Sequence, residues 1–362
     1  MPTTSRRSRG HLHNASLYTA SVVTRCRQDK GSPVSSGVPE YPLPRPQVVD
    51  LSTVVPAELE GLWQCEGQWW RERLLWDISD GLAALRRVVA RRGVLGKAVR
   101  VGTQTVGYTY YVVVGRLGVL SGFVVAPEWS CPAVGESLLQ ATVDALCQQG
   151  VARIESPCVS MPQAWLVAAF ERAGFQTYWR EFLRLDLHRE HPPARLPTPG
   201  QLEPWPGVSL HEAGALMQAA YAGTADVEIN ALYRTAEGCC SVLDDIVNQG
   251  GCGPVVTEAS VLARARGQAI GFILVTEIAP RQGHLVQVAV LPPYQRQGLG
   301  RLLVQHSLAQ LALLRFDTLS LMVSRANHRA LRLYQAMGLQ GVLAFPVFVW
   351  EQSQGGMTDG GS

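Results

Sequence analysis

Val288-Ala-Val-Leu-Pro-Pro-Tyr-Gln-Arg-Gln-Gly-Leu-Gly-Arg-Leu-Leu303 reads as a β-branched strand, a proline stop, a glycine turn and the opening of an amphipathic helix. The first amides of a helix have no partner within it and carry partial positive charge. A pyrophosphate fits there without a lysine. Gly298 and Gly300 remove side chains where backbone must approach a phosphate, and Arg296 and Arg301 can add charge-assisted bonds. A lone Gly-x-Gly is an ordinary tight turn. The run Gln295-Arg296-Gln297-Gly298-Leu299-Gly300, set between a valine strand and a helix, is far more specific.

Working outward, helical spacing predicts helices over 210–222 and 231–248, the second stopped by Gly250-Gly251. Strands are predicted over 260–266 and 269–278, joined by Gly267-Gln268, and over 284–291. A helix over 298–314, a strand over 318–323, a helix over 327–337 capped by Gly338 and a strand over 342–350 complete the order. The same order recurs upstream. A shift of 165 residues lays Val125, Pro127, Gly135, Leu138, Gln140 and Leu146 on Val290, Pro292, Gly300, Leu303, Gln305 and Leu311. A shift of 164 lays Phe170 on Tyr334 and Gly174 on Gly338. The matches fall on structural punctuation, which points to an internal duplication.

The phosphate run resembles the acyl-CoA signature of the GNAT N-acetyltransferase superfamily, Gln/Arg-x-x-Gly-x-Gly/Ala. The stretch from Asn327 through Tyr334 to Gly338-Leu339 is similar to that family's second signature. The resemblance spans roughly 207–350 and implies an α/β fold of tandem GNAT-like domains, each a mixed, mostly antiparallel sheet flanked by helices. It further implies acetyl-CoA as co-substrate, with Val288, Ala289 and Val290 pairing with the pantetheine arm. Gln295, Arg296, Gln297, Gly298, Leu299, Gly300 and Arg301 would hold the pyrophosphate, and Asn327 would bond the arm. Tyr334 would face the thioester sulfur as the acid that protonates the departing thiolate. Histone-directed members place a glutamate eleven residues before the first glutamine; here that position is His284. A histidine can serve as a base, or be a solvated residue at a strand start, and Glu277 is the second candidate. Tyr221, Asp226 and Glu228 sit where the family shapes its acceptor pocket, and a polar helix connection would look the same.

The upstream copy departs from the pattern. Ser130 stands for Gln295, Ala133 for Gly298 and Phe170 for Tyr334, and Pro132 removes one amide from the cradle. A degenerate, non-catalytic copy is expected, one that packs against the active half or walls the acceptor cleft.

The chain has 362 residues, 47% hydrophobic and 17% charged, with formal net charge +3, which suits a globular protein and does not favour nucleic acid. Eight cysteines form no Cys-x-x-Cys pair, so no metal is expected, and free thiols fit a cytoplasmic protein. Cys239, Cys240 and Cys252 read as core or loop thiols. No apolar run is long enough to span a membrane. Residues 1–50 read as a disordered extension, with a transit peptide or an early start as alternatives. The expected divisions are a degenerate domain over 51–190, a proline-rich linker over 191–206, a catalytic domain over 207–352 and a flexible tail over 353–362. The expected function is acetyl transfer from acetyl-CoA to a primary amine, on a small molecule or a peptide, by direct attack in a ternary complex. A transferase of longer acyl chains and a non-catalytic acyl-CoA sensor or scaffold are the alternatives. The acceptor and the oligomeric state are not written in the sequence.

Overall fold

The computed structural model describes residues 45–157, 160–188, 201–205 and 209–352. The N-terminal half runs β1 (Gln47–Asp50), α1 (Pro56–Leu74), α2 (Ser79–Ala90), β2 (Leu95–Val101), β3 (Gln104–Val114), β4 (Leu117–Val125), α3 (Pro132–Gln148), β5 (Arg153–Ser156), α4 (Leu166–Arg172) and β6 (Gln176–Asp186). The C-terminal half repeats it as β7 (Gln201–Pro204), α5 (Leu210–Tyr221), α6 (Ala225–Ile229), α7 (Ala236–Asn248), β8 (Val261–Ala265), β9 (Gln268–Ala279), β10 (Gln282–Val290), α8 (Leu299–Leu313), β11 (Thr318–Ser324), α9 (His328–Ala336) and β12 (Gln340–Glu351). The added α6 is the one departure from parity.

The duplicated order and the helix-flanked, mostly antiparallel strands are present as expected. The two sets of strands share a single 12-stranded sheet in the order β1-β2-β3-β4-β5-β12-β6-β11-β10-β9-β8-β7. The last strands are exchanged. β6 pairs with β11 from Thr318↔Asp186 to Ser324↔Arg180, and β12 lies between β5 and β6. Only β4/β5 and β10/β11 are parallel, each pair bridged by the helix that follows its first strand.

Side chains follow the strands across. Phe348 of β12 is buried in the N-terminal core and stacks on Phe170, with ring centroids 4.0 Å apart. Leu183 and Leu185 of β6 lie in the C-terminal core among Leu302, Leu319 and Leu321. Each such side chain contributes about 1.5–3 kcal/mol through burial. Polar groups cross too. The Glu155 Oε1 atom accepts from the Ala231 amide at 2.7 Å, and Arg153 bonds the Glu228 carbonyl and Glu351.

Three expectations change. Gln201–Pro204, within the stretch expected to be linker, is edge strand β7 paired with β8; its single proline terminates the strand, where a ladder tolerates it. The helix expected over 231–248 breaks at Thr235, whose hydroxyl accepts from the Gly238 amide at 3.0 Å and starts α7, behind a short 3-10 turn at Ala231–Arg234. The end of the expected disordered extension is also ordered: Gln47–Asp50 is β1, paired antiparallel with β2; the rest of the extension, the tail and most of the linker lie outside the described residues. No helix among the described residues is long and apolar enough to cross a membrane.

Because β12 finds its partners on β5 and β6, residues 201–352 expressed alone should fail to give a stable monomer. Light scattering is expected to report association or aggregation, relieved by co-expression with residues 45–188. A monomeric fragment with cooperative unfolding would contradict the exchanged-strand account.

Candidate active site

The parallel ladder of β10 and β11 runs from Gln282↔Thr318 to Leu285↔Leu321 and stops. A register shift between Leu285 and Gln287 marks a bulge at Val286 against β9, which sharpens the local twist. Beyond it, Val288, Ala289 and Val290 stay paired with Ile273, Phe272 and Gly271 of β9. Their other edge has no strand partner among the described residues; the Val288 carbonyl accepts from the Tyr221 hydroxyl at 3.5 Å and the Val290 carbonyl from Gln295.

The loop that follows this stretch is built by its own residues. A 3-10 turn, Pro292–Tyr294, leads to Arg296 at φ +65° and Gly298 at φ +89°, which turn the chain into α8. The amides of Arg296, Gln297 and Gly298 meet no backbone acceptor among the described residues, and those of Leu299, Gly300 and Arg301 open the helix unpaired. Gln295 braces the loop. Its Nε2 donates to the Val290 carbonyl at 2.9 Å, and its Oε1 accepts from Arg329 Nη1 at 2.7 Å. A side chain at Gly298 would be strained by its backbone angle, whereas a Cβ at Gly300 would meet Leu333 at an ordinary 3.8 Å. The cradle thus demands glycine at the first position and tolerates alanine at the second.

Asn327 caps α9 by accepting from the Ala330 amide at 3.1 Å, which leaves its NH2 group to donate. Tyr334 is buried at 5% exposure, and its hydroxyl takes no protein partner among the described residues. Burial, and secondarily the charge of Asp226, hold its pKa well above the ordinary phenol range. It therefore stays protonated. Beside it, the Tyr221 hydroxyl donates to Gln287 Oε1 at 2.9 Å, and Gln287 Nε2 donates to the Tyr233 hydroxyl at 2.9 Å. Asp226 accepts from Ser324 Oγ at 2.7 Å and pairs with Arg180 of β6 at 3.2 Å. The N-terminal half thus reaches the site through its exchanged strand.

Neither expected base suits that role. His284 is fully enclosed, against Trp76 at 4.8 Å and Phe182 at 6.0 Å between ring centroids. Burial lowers its pKa to about 3. Ser320 Oγ lies 2.9 Å from His284 Nδ1 and 3.2 Å from the Gly283 carbonyl oxygen, and with so low a pKa the ring is neutral. An imidazole of that pKa accepts a proton poorly at neutral pH. The Glu277 carboxylate accepts from the Arg281 amide at 2.7 Å and holds the β9–β10 turn, away from Val288–Val290. Burial raises the Cys239 thiol to about 12 and Cys252 higher still, so neither provides a thiolate.

A cavity of about 190 Å³ adjoins Gln287 and Tyr221 between the halves. Trp76, Leu117, Val119 and Glu155 of the N-terminal half form one wall; Tyr233, Asp245 and Ile246 of the C-terminal half form another. Sequence reading missed Arg180, Trp76, Glu155 and Asp245. No local pattern marks them, because strand exchange and half-to-half packing bring them together.

In the N-terminal copy, the place of the cradle is filled. The Trp165 ring lies on Gly135, where any Cβ would collide with it, and its Nε1 donates to Ser130 Oγ at 3.0 Å. Trp165 stands where Arg329 stands, and Ser130 where Gln295 stands, so one brace is rebuilt with an indole that covers the helix N-terminus. Phe170 is fully buried and carries no hydroxyl.

Residues 242–339 match the family described as Acetyltransferase (GNAT) family. Over 64 residues the chain is 39% identical to the [Ribosomal protein bS18]-alanine N-acetyltransferase of Escherichia coli K12, covering 18% of this chain and 43% of that protein. The chain thus spans under half the length of the curated relatives it matches. Its fold is similar to the crystal structure of a GCN5-related N-acetyltransferase from Sphaerobacter thermophilus, at TM-score 0.62 and 16% identity, over 85% of this chain and 96% of that one. It is also similar to a tandem GNAT protein from the clavulanic acid biosynthesis pathway, at TM-score 0.58 and 14% identity, over 84% of this chain and 98% of that one.

Calorimetric titration with acetyl-CoA is expected to find one site per chain. Gly298→Val should remove it and Gly300→Ala should leave it, while the matching N-terminal change, Ala133→Val, should not alter affinity; two sites in the wild type would refute the covered N-terminal cradle. For His284, the ordinary pKa of 6.5 falls to about 3 on folding, so the unfolded chain binds the proton more readily. Its contribution to stability is full above about 6.5 and lost as pH falls towards 3. Urea midpoints across that range should fall less steeply for His284→Gln than for the wild type.

Proposed function

Because residues 242–339 form a domain of the GNAT acetyltransferase family, we propose that this protein moves an acetyl group from acetyl-CoA to a primary amine by direct attack in a ternary complex. The observation that carries this reading is the stretch Val288–Val290 beyond the β10–β11 ladder, which leads to the amides of Arg296–Gly298 that meet no backbone acceptor among the described residues, together with the buried, protonated Tyr334 of α9. The strand-free edge of Val288–Val290, whose Val290 carbonyl Gln295 already holds, suits the amide-bearing arm of the co-substrate as an added strand. The helix amides, with Arg296 and Arg301, suit its pyrophosphate.

The amine must arrive neutral, since an alkyl ammonium has no lone pair and an ordinary pKa of about 10.4. Its nitrogen attacks the thioester carbonyl, and a backbone N–H of β10 near Val288 stabilises the oxygen that gains charge. The C–N bond forms, the C–S bond breaks, and the sulfur leaves as a thiolate. Tyr334 donates its proton to that sulfur and regains one from the amine through water. We assign the base to neither His284 nor Glu277. The N-terminal half serves as scaffold, supplying Arg180 to orient Asp226 and closing one side of the acceptor space.

Tyr334→Phe should lower kcat at least tenfold, about 1.4 kcal/mol or more, with acetyl-CoA affinity near normal. Since burial raises the Tyr334 pKa, wild-type kcat should show no alkaline decline below about pH 10 from this residue. Unchanged turnover of Tyr334→Phe, measured as CoA thiol release with an amine panel, would remove Tyr334 from the acid role. Binding of acetyl-CoA without transfer to any amine would overturn the proposed function.

A further inference from the structure

Asp245 is the cavity-lining carboxylate that the rest of the structure leaves unused. Glu155 is held by Arg153 at 2.7 Å and by the Ala231 amide. Asp226 is held by Arg180 and Ser324. Asp245 Oδ2 is buried and has no hydrogen-bond partner among the described residues. It abuts Gly251, where any Cβ would collide with it, so glycine there keeps room for the carboxylate. The charge that bears on it is Asp244, of the same sign, and burial with this repulsion raises its pKa to about 6. A buried carboxylate without a partner is costly to the fold. A cation from outside the chain would relieve that cost.

The position of Asp245 along the sheet is informative. The loop that touches it, through Gly251, continues to Val255, which bridges to Thr276, and Thr276 pairs with His284. Asp245 therefore lies at the His284 end of β10. The strand-free edge at Val288 is four residues further along, or about 13 Å. The cavity spans the two ends, reaching from Asp245 and His284 to Gln287 and Tyr221. Its walls carry the aromatic and aliphatic side chains of Trp76, Tyr233, Leu117 and Ile246 beside the ion-paired Glu155 and Asp226.

We propose that Asp245 binds a second cationic group of the acceptor, remote from the reacting nitrogen, and that the acceptor is an elongated small molecule with an apolar middle and an ammonium at each end. This rests on the proposed amine transfer for the role of the near end, while the binding site at the far end stands on the cavity itself. A carboxylate with no internal partner selects a cation over a neutral group of the same shape, because desolvation of the ammonium is offset only if it meets an opposite charge. The enclosed walls favour a slender chain over a folded polypeptide surface.

The test is calorimetric binding of straight-chain α,ω-diamines, from butane- to decane-diamine, and of monoamines of the same lengths, to the full chain in the presence of CoA at pH 8. Wild type should bind diamines at least tenfold more tightly than matched monoamines once the two nitrogens span the cavity, and Asp245→Asn should abolish that preference. Because the native carboxylate is unpartnered, Asp245→Asn should melt no lower than wild type at pH 8, which separates a lost site from a lost fold. Equal affinity for diamines and monoamines, or a diamine preference that survives Asp245→Asn, would overturn the proposal. Acetyl transfer is read separately: diamines that bind through Asp245 without being acetylated would sink the proposed function and leave this site standing.

Discussion

The hydrogen-bond ladder β5-β12-β6-β11 is the constraint on which everything else rests. Each half makes five strands of its own and then gives its sixth to the other. The exchange converts two halves that resemble one another into one sheet, with Phe348 of β12 packed on Phe170 in the N-terminal core and Leu183 of β6 in the C-terminal one. A strand in the middle of a sheet must satisfy donors and acceptors on both edges. β12 does so with β5 on one side and β6 on the other, so neither half completes its hydrogen bonding without its partner.

The same ladder builds the site. β6 carries Arg180 to Asp226, and β5 carries Glu155 to the amide of Ala231. The acceptor-side cavity is consequently an interface between copies, not a pocket within one. The N-terminal half contributes to it a wall, the ion-pair partner Arg180 and the Trp76 ring against His284. The place of its own cradle is filled by Trp165, which occupies the position of Arg329 and covers the helix amides that the C-terminal half leaves open.

His284 illustrates how burial decides chemistry. The residue type allows a base near neutral pH, yet enclosure by Trp76 and Phe182 removes the water that would stabilise the imidazolium and leaves a neutral ring. The same force acts in the opposite direction on Tyr334, whose proton is retained, and on Asp245, whose carboxylate is pushed towards neutrality. Three residues of different kinds are thus moved towards their uncharged forms chiefly by burial, joined by the charge of Asp226 at Tyr334 and of Asp244 at Asp245.

The amino-acid sequence by itself determined the fold class, the repeated order of elements and most of the elements of the C-terminal half, with the glycine turn from Gln295 to Gly300 that starts α8. These are local properties: glycines at positive φ, prolines that stop strands, and apolar spacing of helix or strand period. It also marked where the upstream copy departs from that pattern, at Ser130, Ala133 and Phe170. Which strand pairs with which was decided by tertiary structure, because β6 and β12 read alike as closing strands and their sequences do not state whose sheet they close. Arg180, Trp76, Glu155 and Asp245 become neighbours of the site only through that choice. The protonation of His284 likewise depends on aromatic rings, Trp76 and Phe182, that lie more than a hundred residues away along the chain, and no spacing in the sequence could reveal it.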